Sequence, residues 1–345
     1  MKGILFVEKR KVAVKDVPKP DCRPGTVLVK VEAAGICGSD LHTYEGQWGL
    51  PDHVVGHELA GRVVEVGEGV DGIAAGDCVC CECFTHCGQC ANCRNGLYNL
   101  CAERQYGDGT GLMTGAFAEF ARLPAGVVFP MPPAATVEQT VLVEPAAVAS
   151  RAVSLSGARP GDFALVIGGG TIGLLCAAVL KARMRLRCMI VAKYDRQAEA
   201  ARALGIDHVH KVTAGKTPDR VRALTGGRMA DVAIDTIGST LAIADAADSA
   251  KPGGTICVVG LAGGRTIMPV GAIVSKELRV VGSCCYAYSN GTRDFDAAIE
   301  LLASGVLPPD KLITHQFPLD KAPEAFAAAA DKSSGCVKVI IRMPA

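Results

Sequence analysis

The chain lacks a long apolar run, an excess of either charge and a leader-like start. No uninterrupted apolar stretch approaches the ~20 residues that span a bilayer. Lysine and arginine number 36 against 35 acidic residues, a net charge of +1, and no long basic run disturbs that balance. A nucleic-acid or membrane-surface partner therefore finds no electrostatic footprint. The opening MKGILFVEKRKVAV meets charge after Val7 and offers no small-residue cleavage site, so it does not read as a secretory signal. Internal repeats and low-complexity tracts are missing too. With 345 residues the chain has length for two domains, each with its own core. The expectation is a cytoplasmic protein.

Cysteine is what the chain has in quantity, 16 residues in all. In a reducing compartment, clustered thiols hold metal more often than disulfides. Cys87, Cys90, Cys93 and Cys101 form a C-x2-C-x2-C-x7-C ladder. Thiolates at such gaps present tetrahedral sulfur to one ion, usually zinc, and Gly88 and Gly96 supply the tight bends. Disulfides or buried thiols are the alternative. Four thiolates leave no open position, so the ladder reads as a structural site bracing a lobe of about residues 78–105. Cys78, Cys80, Cys81 and Cys83 precede it, either as small buried side chains of a strand or as ligands that swap into the loop.

The first 150 residues read as β-rich. Val27–Glu32, Ala60–Val66 and Ala116–Arg122 are short, partly alternating segments, with turns at Glu68-Gly69 and Ala75-Gly76-Asp77. The texture changes near Ala149. Ala164–Ile167 is a continuous apolar run, as a two-sided buried parallel strand should be. A helix over Thr171–Met184 follows, then a strand at Cys188–Ala192 and a helix at Gln197–Leu204. Val232–Asp235, Thr255–Val259 and Arg279–Gly282 continue an alternation that implies crossovers and a parallel sheet. Helices at Asp294–Ala303 and Ala322–Ala330 and a strand at Cys336–Arg342 complete the chain. The expected class is α/β: a β-rich domain from residues 1–150 and 286–345, with a doubly wound domain, 151–285, inserted.

Gly168-Gly169-Gly170-Thr171-Ile172-Gly173 satisfies G-x-G-x-x-G between an apolar strand and a helix, the context that gives the string meaning. Gly168 permits the turn, Gly170 lets backbone approach a pyrophosphate, and Gly173 allows close helix–strand packing. The free N–H groups at Thr171 and Ile172 open the helix toward phosphate. A dinucleotide that pairs its ribose with an acid normally finds one at the end of the second strand. Here Ala192 stands there, followed by Lys193, Tyr194, Asp195 and Arg196. Lys193 and Arg196 suit a 2′-phosphate, so NADP(H) is expected over NAD(H). Asp195 could reach the ribose, but it precedes a helix and is more simply an N-cap.

Metal-capable residues are also scattered at Cys37, His57, Glu58 and Glu144. Taken singly, each has a bland reading: a core thiol, a satisfied histidine, a carboxylate at a helix start. Their order is more specific. GICGSDLH at Gly35–His42, VVGHELAGRVVEVG at Val54–Gly67, the ladder, VEPAAVA at Val143–Ala149, the glycine loop and KLITHQFPLDKAPEAF at Lys311–Phe326 follow one another along essentially the whole chain. In this the chain resembles the zinc-dependent medium-chain alcohol dehydrogenases, especially the sorbitol, butanediol and threonine dehydrogenase branch.

The resemblance implies a GroES-like catalytic domain, a Rossmann-type nucleotide domain and two zinc ions per chain. It implies a catalytic zinc at Cys37 and His57 with Glu58 and Glu144 as further ligands, one carboxylate acting through water or exchanging with the other. Asp40 would orient His57. Zinc would stabilise an alkoxide while hydride passes to the nicotinamide. Ser39 would take the alcohol proton and His42 pass it toward solvent through ribose hydroxyls. Tyr44, Gln47 and Trp48 are guesses for the pocket wall. Arg151 stands where many relatives have histidine; it either helps bind cofactor phosphate or packs at the domain junction. Cys284 and Cys285 have no evident role. The expected substrate is a secondary alcohol, polyol or sugar-like molecule, or the corresponding ketone, handled by a homodimer or homotetramer. The alternatives are an NADPH-dependent carbonyl reductase, an amino-alcohol dehydrogenase of threonine or aminocyclitol type, and a non-catalytic dinucleotide-binding redox sensor.

Overall fold

A computed structural model describes residues 1–106 and 113–344. The chain divides into two compact units, Met1–Glu144 with Ala298–Ala345, and Pro145–Ala297. The crossings fall within the helices Val143–Ser156 and Asp294–Ala303, where composition gives no break to read.

The first unit is built on a seven-stranded sheet. Its order is Ile313–Pro318, Lys338–Arg342, Thr26–Gly35, Glu58–Val66, Cys78–Cys81 and Val128–Pro130, with Phe120–Pro124 also pairing Thr26–Gly35. The pairings are antiparallel except that of Ile313–Pro318 with Lys338–Arg342. Thr26–Gly35 is the spine. It bonds three neighbours and is buried along nearly its whole length, which suits the run VLVKVEAAG. A separate hairpin, Lys2–Glu8 with Lys11–Asp16, uses the opening residues. The expected strand Ala116–Arg122 forms later, as Phe120–Pro124, while Phe117 and Ala118 meet the first hairpin through Ile4 and Gly3.

Phe326 is the aromatic hub of this core, with Phe6, Tyr44 and Phe117 at 5.3, 5.5 and 5.5 Å. Tyr44 is therefore core and not a pocket wall: its ring is buried against Phe326, on the inner face of the short helix Gly38–Tyr44.

The second unit is a six-stranded parallel sheet. Strands Phe163–Ile167, Arg187–Ala192, His208–Lys211, Ala230–Asp235, Ala250–Val258 and Arg279–Gly282, taken as one to six in chain order, lie in the sequence three-two-one-four-five-six. This is the doubly wound arrangement whose ligand crevice lies at the carboxyl ends of the strands. Leu165, Met189, Ala233 and Ile256 sit on those strands within its apolar core. The helix Thr171–Met184 has the expected bounds. His208–Lys211 was not anticipated; HVHK is too polar to read as a strand, yet at the sheet edge it pairs fully with Met189–Ala192.

Candidate active site

Four segments of the first unit converge on one small volume. Cys37 precedes the helix Gly38–Tyr44, and its backbone N–H donates to Asp40 Oδ2 at 2.8 Å, which locks the first turn. Glu58 opens a strand directly opposite Gly35. A Cβ at Gly35 would lie 1.9 Å from Glu58 Oε2, so glycine there is what lets the carboxylate fold over the neighbouring strand. His57 follows Gly56, whose φ of +99° favours glycine and whose missing Cβ would meet the Phe117 ring at 2.7 Å. One donor atom each from Cys37, His57 and Glu58 fall within 4.8 Å of one another.

Glu144 stays outside that closest group, though its charge reaches both His57 and Glu58. Burial, reinforced by Glu58, lifts the Glu144 carboxyl to about 7. Burial also raises Asp40. For His57, burial works downward, but Cys37, Asp40 and Glu144 outweigh it and hold the imidazole well above its ordinary value. These directions describe one condition: carboxyls and a thiol crowded around an imidazole favour a cation among them. A sulfur, a nitrogen and carboxylate oxygens are a donor set that fits zinc. The expected Asp40–His57 hydrogen bond is not formed: Asp40 Oδ1 stands 4.0 Å from His57 Nδ1, while Oδ2 accepts from Cys37 N–H.

Lys338 was missed by reading the sequence. Its ammonium is buried, pairs with Glu58 Oε2 and donates to Ile36 O at 3.1 Å. Burial lowers its affinity for the proton, but Glu58 and Cys37 more than restore it. The signal was available: a lysine inside CVKVIIR, an otherwise apolar strand, demands a buried anion.

Ser39 and His42 lie three apart on the helix Gly38–Tyr44 and so share a face. His42 Nδ1 is 2.5 Å from Gln47 Oε1, and its ring is 5.0 Å from Trp48.

In the ladder, Cys87–Cys93, Cys90–Cys93 and Cys87–Cys101 sulfurs are 3.9, 3.5 and 3.5 Å apart. Zn–S bonds of about 2.3 Å place tetrahedral sulfurs about 3.8 Å apart, so the ladder fits a closed zinc site. Backbone N–H groups of Cys87 and Cys90 point at Cys101 and Cys87 sulfurs, as thiolates require. The Cys90 thiol is drawn down to about 7, first by the Cys93 backbone, while burial and the neighbouring thiols push Cys93 up to about 12, so the four sulfurs share their protons unequally. Of the preceding cluster, Cys80 and Cys81 are buried in their strand and pushed up by that burial, while Cys80 Sγ contacts Phe129 O.

In the second unit, Gly168 has φ +110° and forms the turn. A Cβ on Gly173 would lie 1.8 Å from Gly168 O, whereas one on Gly170 would meet nothing within 4 Å. Close packing at one glycine and open space at the other fit a pyrophosphate over the helix start at Thr171 and Ile172. Lys193 and Arg196 are exposed beyond Ala192. Asp195 is not the N-cap: Tyr194 holds that position, and Asp195 begins the helix and pairs with Lys211 at 2.5 Å. Arg151 donates to Tyr288 O at 2.9 Å and Ser289 Oγ at 3.0 Å, a packing role within this unit.

Residues 23–133 match the alcohol dehydrogenase GroES-like domain and residues 171–304 the zinc-binding dehydrogenase domain. The chain is 31% identical to a sorbitol dehydrogenase of Bacillus subtilis, across 99% of this chain and 97% of that one. It is 35% identical to an L-threonine 3-dehydrogenase of Pyrococcus abyssi, across 95% and 94%. The crystal structure of 2R,3R-butanediol dehydrogenase from Bacillus subtilis superposes with a TM-score of 0.86 at 30% identity, covering 100% of this chain and 99% of that one. A metal-donor cluster and a dinucleotide cradle on these two folds define an oxidoreductase acting on CH–OH groups with zinc and a nicotinamide cofactor. The chain belongs to the zinc-type medium-chain alcohol dehydrogenases, in the branch that includes the sorbitol and threonine enzymes.

Proposed function

We propose that this dehydrogenase oxidises a secondary alcohol, polyol or sugar-like substrate, with Cys37, His57, Glu58 and Glu144 holding the catalytic zinc and the cysteine ladder a second, structural one. The observation that carries the proposal is the meeting of Cys37, His57 and Glu58 donor atoms within 4.8 Å. Zinc there supplies a Lewis acid to the alcohol oxygen, and the nicotinamide supplies the hydride acceptor. Ser39 takes the alcohol proton. His42 receives it: with Nδ1–H donating to Gln47 Oε1, Nε2 is left as the acceptor. Lys338 acts as a positioning residue: it holds Glu58 Oε2 and so would orient the carboxylate as a ligand for the ion. Metal analysis tests this. About two zinc ions per chain are expected, falling to about one in Cys37→Ser with loss of turnover. A single zinc that survives Cys37→Ser would sink the assignment. A panel of polyols, amino alcohols and simple secondary alcohols, followed by nicotinamide absorbance, identifies the substrate.

The cofactor is NADP(H). Ala192 leaves the ribose without an acid at the strand end, and Lys211, its register partner on the next strand, ties up the Asp195 carboxylate. Lys193, Arg196 and Lys211 then offer cations to a 2′-phosphate. Lys211→Ala should raise KM for NADP⁺ about tenfold, the worth of one charge-assisted contact, and, because it releases Asp195, should not raise KM for NAD⁺. Equal or better turnover of the wild type with NAD⁺ at matched concentrations would reverse the preference. The same cationic edge favours a second reading, carbonyl reduction with NADPH, which the cofactor preference and the cellular redox ratio decide. The active form is a cytoplasmic homo-oligomer, with the unit Met1–Glu144 plus Ala298–Ala345 catalytic and Pro145–Ala297 nucleotide-binding.

A further inference from the structure

We propose that Cys284 and Cys285 form an oxidisable dithiol, a modification site that peroxide closes to a vicinal disulfide and that thereby weakens nucleotide binding. The idea rests on the nucleotide-binding reading of the second unit. The two sulfurs are 3.7 Å apart, and Cys284 is exposed. Cys285 has φ +50°, in the left-handed region, so the backbone here already departs from a continuing strand. The chemistry balances with hydrogen peroxide as oxidant. One thiol ionises and its thiolate attacks peroxide: an S–O bond forms, the O–O bond breaks, and a sulfenic acid and hydroxide result, the hydroxide taking up the proton the thiol released to give water. The second thiol attacks that sulfur: the S–S bond forms, the S–O bond breaks, and a second water leaves. Two electrons pass from the sulfur pair to peroxide.

Neighbouring residues joined by a trans peptide have Cα atoms about 3.8 Å apart, below the ~4.4 Å lower limit of ordinary disulfides. The product is strained and readily reduced by a dithiol, the property of a regulatory rather than a structural bridge. Its strain also has nowhere to spread. Upstream, Ser283 N–H donates to Val258 O at 2.9 Å. Downstream, Ala287 N–H donates to Asp294 Oδ2 at 2.9 Å, and Arg151 holds Tyr288 and Ser289. The distortion falls on the residues between, which directly follow the strand Arg279–Gly282. That is the carboxyl end of the parallel sheet, the same end as the glycine turn at Gly168 and the end where nucleotides bind.

The zinc-loaded protein is treated with stoichiometric peroxide, its remaining thiols are alkylated, and the peptide spanning Cys284 and Cys285 is weighed. The expected result is loss of two hydrogens without alkylation, restored by dithiothreitol. NADPH and NADH fluorescence titration should then show affinity lower by about fivefold or more, the scale of a modest coupling between sites. Cys284→Ser should bind nucleotide as the wild type does and lose the peroxide response, with zinc content measured alongside to exclude damage to the ladder. Ordinary alkylation of both thiols after peroxide, or closure without any change in affinity, overturns the proposal. Should Cys284→Ser fail to fold, the wild-type mass shift and titration still decide. Failure of the untreated protein to bind either nucleotide instead removes the nucleotide reading itself.

Discussion

Lys338 and Glu58 are two opposite charges with almost no access to water. Such a pair is weak evidence of stability as a whole, but breaking it from one side leaves a buried charge uncompensated, at a cost of about 3–5 kcal/mol. Lys338→Met should therefore lower the unfolding free energy of the metal-stripped protein by about that amount, measured by urea denaturation, and zinc should recover part of it by giving Glu58 another cation. A K338M/E58Q double variant should be less destabilised than Lys338→Met alone; an equal or larger loss would show that packing, not charge, is at issue. Gly35→Ala tests the same carboxylate from the other side. The new methyl would displace Glu58 Oε2, so zinc content should fall by about one per chain while the ladder keeps its metal. At this scale the residue types were legible and their partners were not. Cys37, His57 and Glu58 stood out through the order of their motifs. Lys338 did not, because a strand pattern reports alternation and not what faces the odd residue.

Among the elements, those with a strong local signal formed as read. The helix Thr171–Met184 has glycines before it and an apolar run within it, and the structure keeps both bounds. Elements defined by tertiary company escaped. The strand His208–Lys211 exists because Met189–Ala192 pairs with it, and the opening hairpin because Phe117 covers its edge. The glycine turn makes the testable case. Gly173→Ala would drive a methyl into Gly168 O, forcing the helix off the strand Phe163–Ile167. Overpacking of this kind costs about 1–3 kcal/mol, and the phosphate cradle opens with it. Calorimetric titration should show loss of dinucleotide affinity with zinc content unchanged; unaltered affinity would mean the cradle tolerates the shift.

For the whole molecule, the two proposed metal sites should fail differently. Cys93→Ser removes one of the four sulfurs that would hold the proposed structural ion. Thermal unfolding should move down and the ladder zinc be lost, while kcat/KM of the protein that remains folded stays close to wild type. A proportionate drop in kcat/KM without a thermal shift would place the ladder in the chemistry instead. The division into two folds was readable from the change of texture along the chain, since a parallel sheet needs unbroken apolar strands and an antiparallel one does not. The crossings at Glu144 and Ala298 were not, because each lies within a helix whose composition is continuous.

The pairing of Glu58 with Lys338 also carries a schedule. The two residues are 280 positions apart, and a ribosome adds roughly 5–20 residues each second. Glu58 is thus joined to the chain on the order of 15 to 60 s before its counter-ion is made. Through that interval the strand Glu58–Val66 has its neighbours at Thr26–Gly35 and Cys78–Cys81 but an unbalanced carboxylate in their midst. The nascent first unit must wait for the strand Lys338–Arg342, or take a metal ion first.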